Sequence, residues 1–357
     1  MKRGVLFAGG GTLGPVTPLL AVASRIRESD STLPLFWAGT DDGPERELVE
    51  SHGIPFFTIP VAKLPRYAST KLLTFPIDYV RARKAAREVI KTAYPRVVLS
   101  AGGYTAVPII REASEAGIPC IAHQLDYTPG LSNRLIASSC RYVTTSFPYF
   151  HSPFHVDVTV YQVPTPVRFS DSDLPSRESA CKYFGFESDR PVLFVMGGGT
   201  GAKSLNDAMA LIHGQLPSNL QIFHLTGKGK MTDVISDHPG YAMREFLTDE
   251  MPTAYAAADL VVSRAGVGAI AEIAATRKAA ILVPLPNSPQ EANAKELKDA
   301  VVTIDSAKSD WEQTLFTEIV RLLEDSAARK NLGNQLHDSF ATDNGGALAN
   351  LVMSVMV

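Results

Sequence analysis

A glycine-rich turn follows a short apolar run at three places in the chain: Ala8-Gly-Gly-Gly-Thr-Leu-Gly-Pro15, Ser100-Ala-Gly-Gly-Tyr-Thr-Ala-Val-Pro108 and Met196-Gly-Gly-Gly-Thr-Gly-Ala-Lys203. A stretch compatible with a helix comes after each. Glycine lets backbone approach a ligand closely, and the open N–H groups at a helix start attract anions. Two of the turns fall in the first half and one in the second. That distribution predicts two domains facing a cleft, with phosphates held from both sides.

The residues around the turns agree. Leu19, Val22, Ala23 and Ile26 fall at i, i+3, i+4 and i+7, as do Leu205, Ala208, Met209 and Ile212; that spacing marks one face of a helix. Gly4–Ala8, Leu35–Ala38, Phe56–Pro60, Arg96–Ser100 and Pro119–His123 read as strands of the first half. Val192–Met196, Leu220–Leu225, Leu260–Ser263 and Ala280–Pro284 read as strands of the second. Strands alternating with helices imply parallel sheets covered on both faces. The expected fold is therefore α/β, two doubly wound Rossmann-like domains with ligands at the carboxyl ends of the strands. The Pro-, Ser- and Asp-rich stretch Gln162–Pro175 places the boundary, giving domains 1–163 and 164–340. Residues 341–357 form an apolar helix expected to pack back on the first domain.

With 357 residues, each domain can bury a substantial core. A net charge of −3 argues against a general nucleic-acid binder. Cys120, Cys140 and Cys181 form neither a disulfide framework nor a zinc pattern, which points to a reducing cytoplasm. No apolar run is long enough for a signal peptide or a membrane span, so any membrane is met from one side.

Gly9-x-Gly11-x-x-Gly14 matches the dinucleotide fingerprint, but the acidic residue that fingerprint needs is missing. Asp41 and Asp42 come too late, and Pro15 and Pro18 stand where its helix would run. Asp171-Ser-Asp173 reads as turn and cap chemistry, and Pro153 spoils a metal pair of His151 with His155. Basic residues gather between 63 and 96: Lys63, Arg66, Lys71, Arg81, Arg83, Lys84, Arg87 and Lys91, against Asp78 and Glu88. Apolar Leu64, Tyr67, Leu72, Leu73, Phe75 and Ile77 are interleaved with them. Such a segment is either a solvated helix and loop or a contact for anionic lipid.

Eight segments, in order, resemble the MurG family of glycosyltransferases, whose fold is of the GT-B type. They are Gly10–Ala23, Gly102–Pro108, His123–Arg134, Thr165–Arg168, Gly197–Asn206, Glu245–Met251, Ser263–Ile273 and Pro289–Ala294. The resemblance implies an inverting, metal-independent hexosyltransferase. It would move N-acetylglucosamine from UDP-GlcNAc to a polyprenyl-diphosphate-linked muramoyl pentapeptide during peptidoglycan synthesis, on the cytoplasmic face of the membrane. No cofactor is implied. A related UDP-sugar transferase with another acceptor, or a UDP-GlcNAc epimerase of the same fold, stays open.

The same resemblance implies residue roles. Donor contacts fall to Thr12, Leu13, Gly14, Asp126, Arg168, Gly198, Gly199, Thr200, Gly201, Phe246, Leu247, Val267, Gly268, Ala269, Glu272, Gln290 and Asn293. Chemistry fits several of them: Arg168 for phosphate, Glu272 for the ribose hydroxyls, Phe246 and Leu247 for uracil, Gln290 and Asn293 for sugar hydroxyls. Acceptor contacts fall to Gly11, Thr12, Gly14, Gly102, Gly103, Tyr104 and His123. Asp126, then His123, are the candidate bases. Three positions depart from the family pattern. Leu13-Gly14-Pro15 replaces Gly-Gly-His, Gly199 replaces a serine, and Gln124-Leu125-Asp126 replaces Glu-Gln-Asn.

Overall fold

The structure, a computed structural model, describes residues 3–41, 43–60, 71–149, 151–154, 156–198, 201–230, 238 and 240–356. It divides into two compact units, Met1–Arg168 with Asp343–Val357, and Phe169–Thr342.

Short apolar runs buried on both faces make the centres of the sheets, as parallel strands require, with less buried strands at their edges. In the first unit these are β1 (Val5–Ala8), β2 (Leu35–Gly39), β3 (Phe56–Thr58), β4 (Val97–Ser100), β5 (Cys120–Gln124), β6 (Tyr142–Thr145) and β7 (Thr159–Gln162). Their order is β3-β2-β1-β4-β5-β6-β7, parallel throughout. A short β8 (Thr165–Pro166) follows. The second unit contains β9 (Val192–Met196), β10 (Gln221–Leu225), β11 (Tyr241–Arg244), β12 (Leu260–Ser263), β13 (Ala279–Leu282) and β14 (Val302–Thr303). Their order is β11-β10-β9-β12-β13-β14, again parallel. The short β15 (Thr342–Asp343) pairs with β8 where the chain returns to the first unit. Both sheets are doubly wound α/β, with the winding reversing beside β1 and beside β9, so a crevice forms at the carboxyl ends there.

Leu6, Ala38, Val98 and Val143 meet Ile109, Ile110 and Ala86 in the core of the first unit. Leu193, Ile222, Val262 and Ile281 meet Leu205, Met209, Leu315 and Ile319 in the core of the second. The final helix, Gly346–Val355, lies on helix Val16–Ser29 within the first unit.

Each core also holds a histidine that bridges neighbouring strands. His123 on β5 is fully buried, with Nδ1 2.9 Å from Thr144 Oγ1 on β6 and Nε2 3.4 Å from Ser146 Oγ. His224 on β10 is 2% exposed, with Nδ1 2.8 Å from the Tyr241 hydroxyl on β11 and Nε2 3.1 Å from Asn206 Oδ1. Burial pushes both pKa values down from 6.5 to about 4.

An acid-sensitive stability follows. Between pH 6.5 and about 4 the unfolded imidazoles are protonated and the folded ones are not. The unfolded state then binds more protons, so stability falls as pH drops, by up to about 1.4 kcal/mol per pH unit for each histidine. Urea unfolding between pH 7 and 4.5 checks this, and a flat dependence on pH contradicts it.

Candidate functional site

Strands β9 to β13 of the second unit each deliver a chemically equipped segment at the carboxyl end. Beyond β9, Gly201 N–H donates to Gly198 O at 2.9 Å, closing a turn before helix Lys203–Ile212. Gly201 has φ +68°, and a Cβ there would sit 2.3 Å from Thr226 O, so only glycine fits. Gly199 and Thr200 lie outside the described residues. Beyond β10, Lys230 Nζ donates to Gly201 O at 3.2 Å, and Gly229 N–H donates to Glu245 Oε1 at 3.0 Å. Asn206 Nδ2 holds this segment from below through Thr226 O at 3.0 Å. Beyond β11, Phe246 is 42% exposed beside buried Leu247.

Beyond β12 comes Arg264, only 6% exposed. Its Nη1 donates to Val283 O at 2.9 Å and Pro284 O at 3.1 Å, and its Nη2 donates to Ser204 Oγ. These partners are neutral, and burial lowers the guanidinium pKa. Gly266 then opens helix Val267–Ala275, with Gly268 and Ala269 half-buried in its first turn and Val267 turned inward. Glu272 on that helix is half-buried, and the fully buried Tyr255 donates its hydroxyl to Glu272 Oε2 at 3.2 Å. Beyond β13, Gln290 Oε1 accepts from Leu285 N–H at 3.0 Å.

Gly198, Gly201, Phe246, Leu247, Val267, Gly268, Ala269, Glu272 and Gln290 thus share one rim of one sheet. Asn293 does not join them. It was expected to reach sugar hydroxyls, but it is fully buried and donates to Ala265 O at 3.0 Å. Arg168, half-buried, ends the first unit, one residue after Val167 N–H donates to Asp343 O at 2.8 Å. Arg264 and Lys230 were missed in the sequence. The available signals were an arginine directly after a strand and the run Gly227-Lys-Gly-Lys230.

In the first unit the two glycine turns leave the adjacent strands β1 and β4. They touch backbone to backbone: a Cβ on Gly103 would lie 2.9 Å from Gly10 O. Buried Trp37 fixes the first turn by donating from Nε1 to Gly9 O at 2.9 Å. Thr12 and Gly14 are exposed, Leu13, Gly11 and Tyr104 half-buried, Gly102 buried. Pro15, where the family pattern has histidine, takes φ −77° at the helix start, a value its ring favours. Beyond β5, Asp126 is half-buried in a loop tied down by Gln124 Nε2 on its own carbonyl at 2.6 Å. Asn133 Nδ2 holds Gln124 Oε1 in turn at 2.7 Å. Tyr149 donates to Tyr127 O and stacks on that ring at 5.3 Å.

His123 is corrected as a candidate base and acceptor contact. It has no solvent exposure, and both ring nitrogens face hydroxyls of its own sheet. Asp126 remains. The basic segment is also less charged than its sequence suggests. Arg83 pairs with Glu112 at 2.5 Å and Glu115 at 2.6 Å, and Arg87 with Glu112 at 2.9 Å. Lys63, Leu64, Arg66, Tyr67, Asp42 and His155 lie outside the described residues, as do the side chains of Lys71, Leu72 and Leu73. Asp173 closes a capping box with Ser170 at 2.8 Å.

Comparison with known proteins agrees with this architecture. The glycosyltransferase family 28 N-terminal domain matches residues 5–145, and its C-terminal domain matches residues 192–343. A UDP-N-acetylglucosamine–N-acetylmuramyl-(pentapeptide) pyrophosphoryl-undecaprenol N-acetylglucosamine transferase of Lachnoclostridium phytofermentans is 38% identical over 80% of this chain and 79% of its own. A transferase of the same name from Clostridium botulinum is 31% identical over 100% of this chain and 98% of its own. The crystal structure of Acinetobacter baumannii MurG shares the fold, with a TM-score of 0.72 at 24% identity over 99% of this chain and 100% of that one. The chain belongs to glycosyltransferase family 28 and, within it, to the MurG family.

Proposed function

We infer that the protein is an inverting hexosyltransferase that moves N-acetylglucosamine from UDP-GlcNAc to a lipid-diphosphate-linked muramoyl pentapeptide. The observation that carries this reading is the single rim of the second unit. There a glycine turn at a helix start, an exposed aromatic ring and an oriented half-buried carboxylate stand at the ends of one parallel sheet. Those are the three groups that a diphosphate, a base and a ribose need.

In this reading the Gly198–Gly201 turn and the first amides of helix Lys203–Ile212 take the diphosphate. Arg168, Lys230 and the buried charge of Arg264 add positive potential as UDP leaves with its negative charge. Phe246 stacks on the uracil, with the Leu247 backbone at its edge. Glu272 accepts from both ribose hydroxyls, its rotamer set by Tyr255. Gln290 meets hydroxyls of the sugar. On the acceptor side, the paired turns and Tyr104 bind, with Thr12, Leu13, Gly14 and Asp126 also meeting the donor. Asp126 takes the proton of the acceptor hydroxyl as that oxygen attacks the anomeric carbon opposite the departing UDP. One displacement gives inversion, with no covalent intermediate on the protein.

A lipid-linked acceptor brings the protein to the inner membrane face, where UDP-sugars are available. Ile77 and Val80, 57% and 66% exposed on helix Lys71–Ala93 beside Arg81 and Lys84, are the surface we assign to that contact. Among the described residues no helix is long and apolar enough to cross a membrane.

The test is a purified protein with UDP-GlcNAc and a soluble analogue of the lipid acceptor. UDP release that depends on the acceptor, with a new disaccharide as product, is expected. Sugar isomers formed without acceptor would instead identify an epimerase. Glu272→Ala is expected to weaken UDP binding by about 3 kcal/mol, roughly 100-fold, through two lost charge-assisted hydrogen bonds. Unchanged affinity in calorimetry removes the ribose assignment.

A further inference from the structure

Behind the glycine turn of the second unit runs a buried chain of hydrogen bonds. It joins Tyr241 on β11, His224 on β10 and Asn206 on helix Lys203–Ile212, in that order. His224 and Asn206 are buried. The chemistry of each group leaves it one direction. Thr226 O and Lys230 O lie 3.0 and 3.3 Å from Asn206 Nδ2, and carbonyls only accept, so the amide NH2 faces them. Asn206 Oδ1 then takes a donor, which His224 Nε2–H supplies at 3.1 Å. A neutral imidazole carries a single N–H, so His224 Nδ1 accepts from the Tyr241 hydroxyl at 2.8 Å. Burial keeps both rings neutral, lowering the His224 pKa to about 4 and raising that of Tyr241.

The chain ends on the contact that shapes the turn. Thr226 O is the atom that a Cβ on Gly201 would meet at 2.3 Å, and Lys230 Nζ donates to Gly201 O at 3.2 Å. One amide, that of Asn206, therefore holds both residues that the β10 segment sets against Gly201. We propose that His224 is a positioning residue for the nucleotide-sugar: by fixing Asn206 from the core, it keeps Thr226 and Lys230 against Gly201 and so holds the turn in the shape that takes a diphosphate. This rests on the reading of that turn as the donor site. His224 acts only through Asn206, since it is buried and both ring nitrogens are engaged inside the unit. His123 differs, because its two partners are the hydroxyls of Thr144 and Ser146 and lead to no binding segment. Without the Nε2 donor, Asn206 Oδ1 is left buried and unpaired, a costly state that favours turning the amide away from its two carbonyls.

A pair of variants at one position tests this. His224→Leu removes both nitrogens, whereas His224→Gln keeps an N–H donor within reach of Asn206 Oδ1. For His224→Leu, the Kd for UDP in calorimetry and the KM for UDP-GlcNAc are expected to rise about tenfold, with the acceptor KM unchanged. His224→Gln is expected to return both donor constants to within about threefold of the original protein. A lower unfolding temperature with UDP affinity unchanged would mark a purely structural histidine and overturn the proposal. So would donor and acceptor constants rising together, or a glutamine variant as weak as the leucine one. Should His224→Leu fail to fold, Tyr241→Phe removes only the hydroxyl on Nδ1; the UDP Kd is then expected to rise about threefold, and no rise overturns the proposal. Phe246→Ala separates the two levels. If it leaves UDP affinity unchanged, the donor reading of the rim fails. If it weakens UDP binding while His224→Leu does not, only the role of His224 fails.

Discussion

Backbone lying directly on backbone, with no side chain between, is the constraint on which the glycine-rich rim of each unit depends. In the first unit the turn after β1 and the turn after β4 meet at Gly10 and Gly103. In the second, the turn after β9 meets the segment after β10 at Gly201 and Thr226. A methyl group at either contact would have to push main chain aside. The parallel sheets bring these turns together, since adjacent strands end at the same edge. Glycine then lets them touch. What results is a surface made largely of amides, with polar and aromatic side chains placed around it.

The two units use this common device differently. The turn of the second unit leads into a helix whose first-turn amides carry no side-chain cap, with Lys230 on its last carbonyl and the buried Arg264 tied to Ser204. The first turn of the first unit has one amide taken by Glu45 and a carbonyl taken by Trp37. Its surroundings already contain a negative charge. Two glycine-rich loops of similar sequence therefore sit among different side chains, which residues elsewhere in the chain supply.

The central strands and the glycine turns were legible because their signals are local: a short apolar run followed by glycines. β7, β11 and β14 were not, since these outer strands are short and at most half-buried, and Tyr241–Arg244 carries no apolar alternation. β6 is well buried, yet Tyr142–Thr145 reads as an ordinary polar stretch. His123 looked like a base because it ends a strand beside a glycine-rich rim. Its burial depends on Thr144 and Ser146, more than 20 positions later. Glu45 and Arg264 were silent for the same reason. An acidic residue near a proline and an arginine after a strand are unremarkable until the fold sets Gly10 and Gly43, or Ser204 and Val283, against them.

The proposed placement of the nucleotide on the rim of the second unit is tested most directly by hydrogen–deuterium exchange of the whole protein with and without UDP. Slower exchange is expected in peptides covering residues 196–206, 244–248 and 264–270, with a smaller change or none in residues 9–14 and residues 102–106 unchanged. Protection of residues 9–14 by UDP, with residues 196–206 unaffected, would contradict the account.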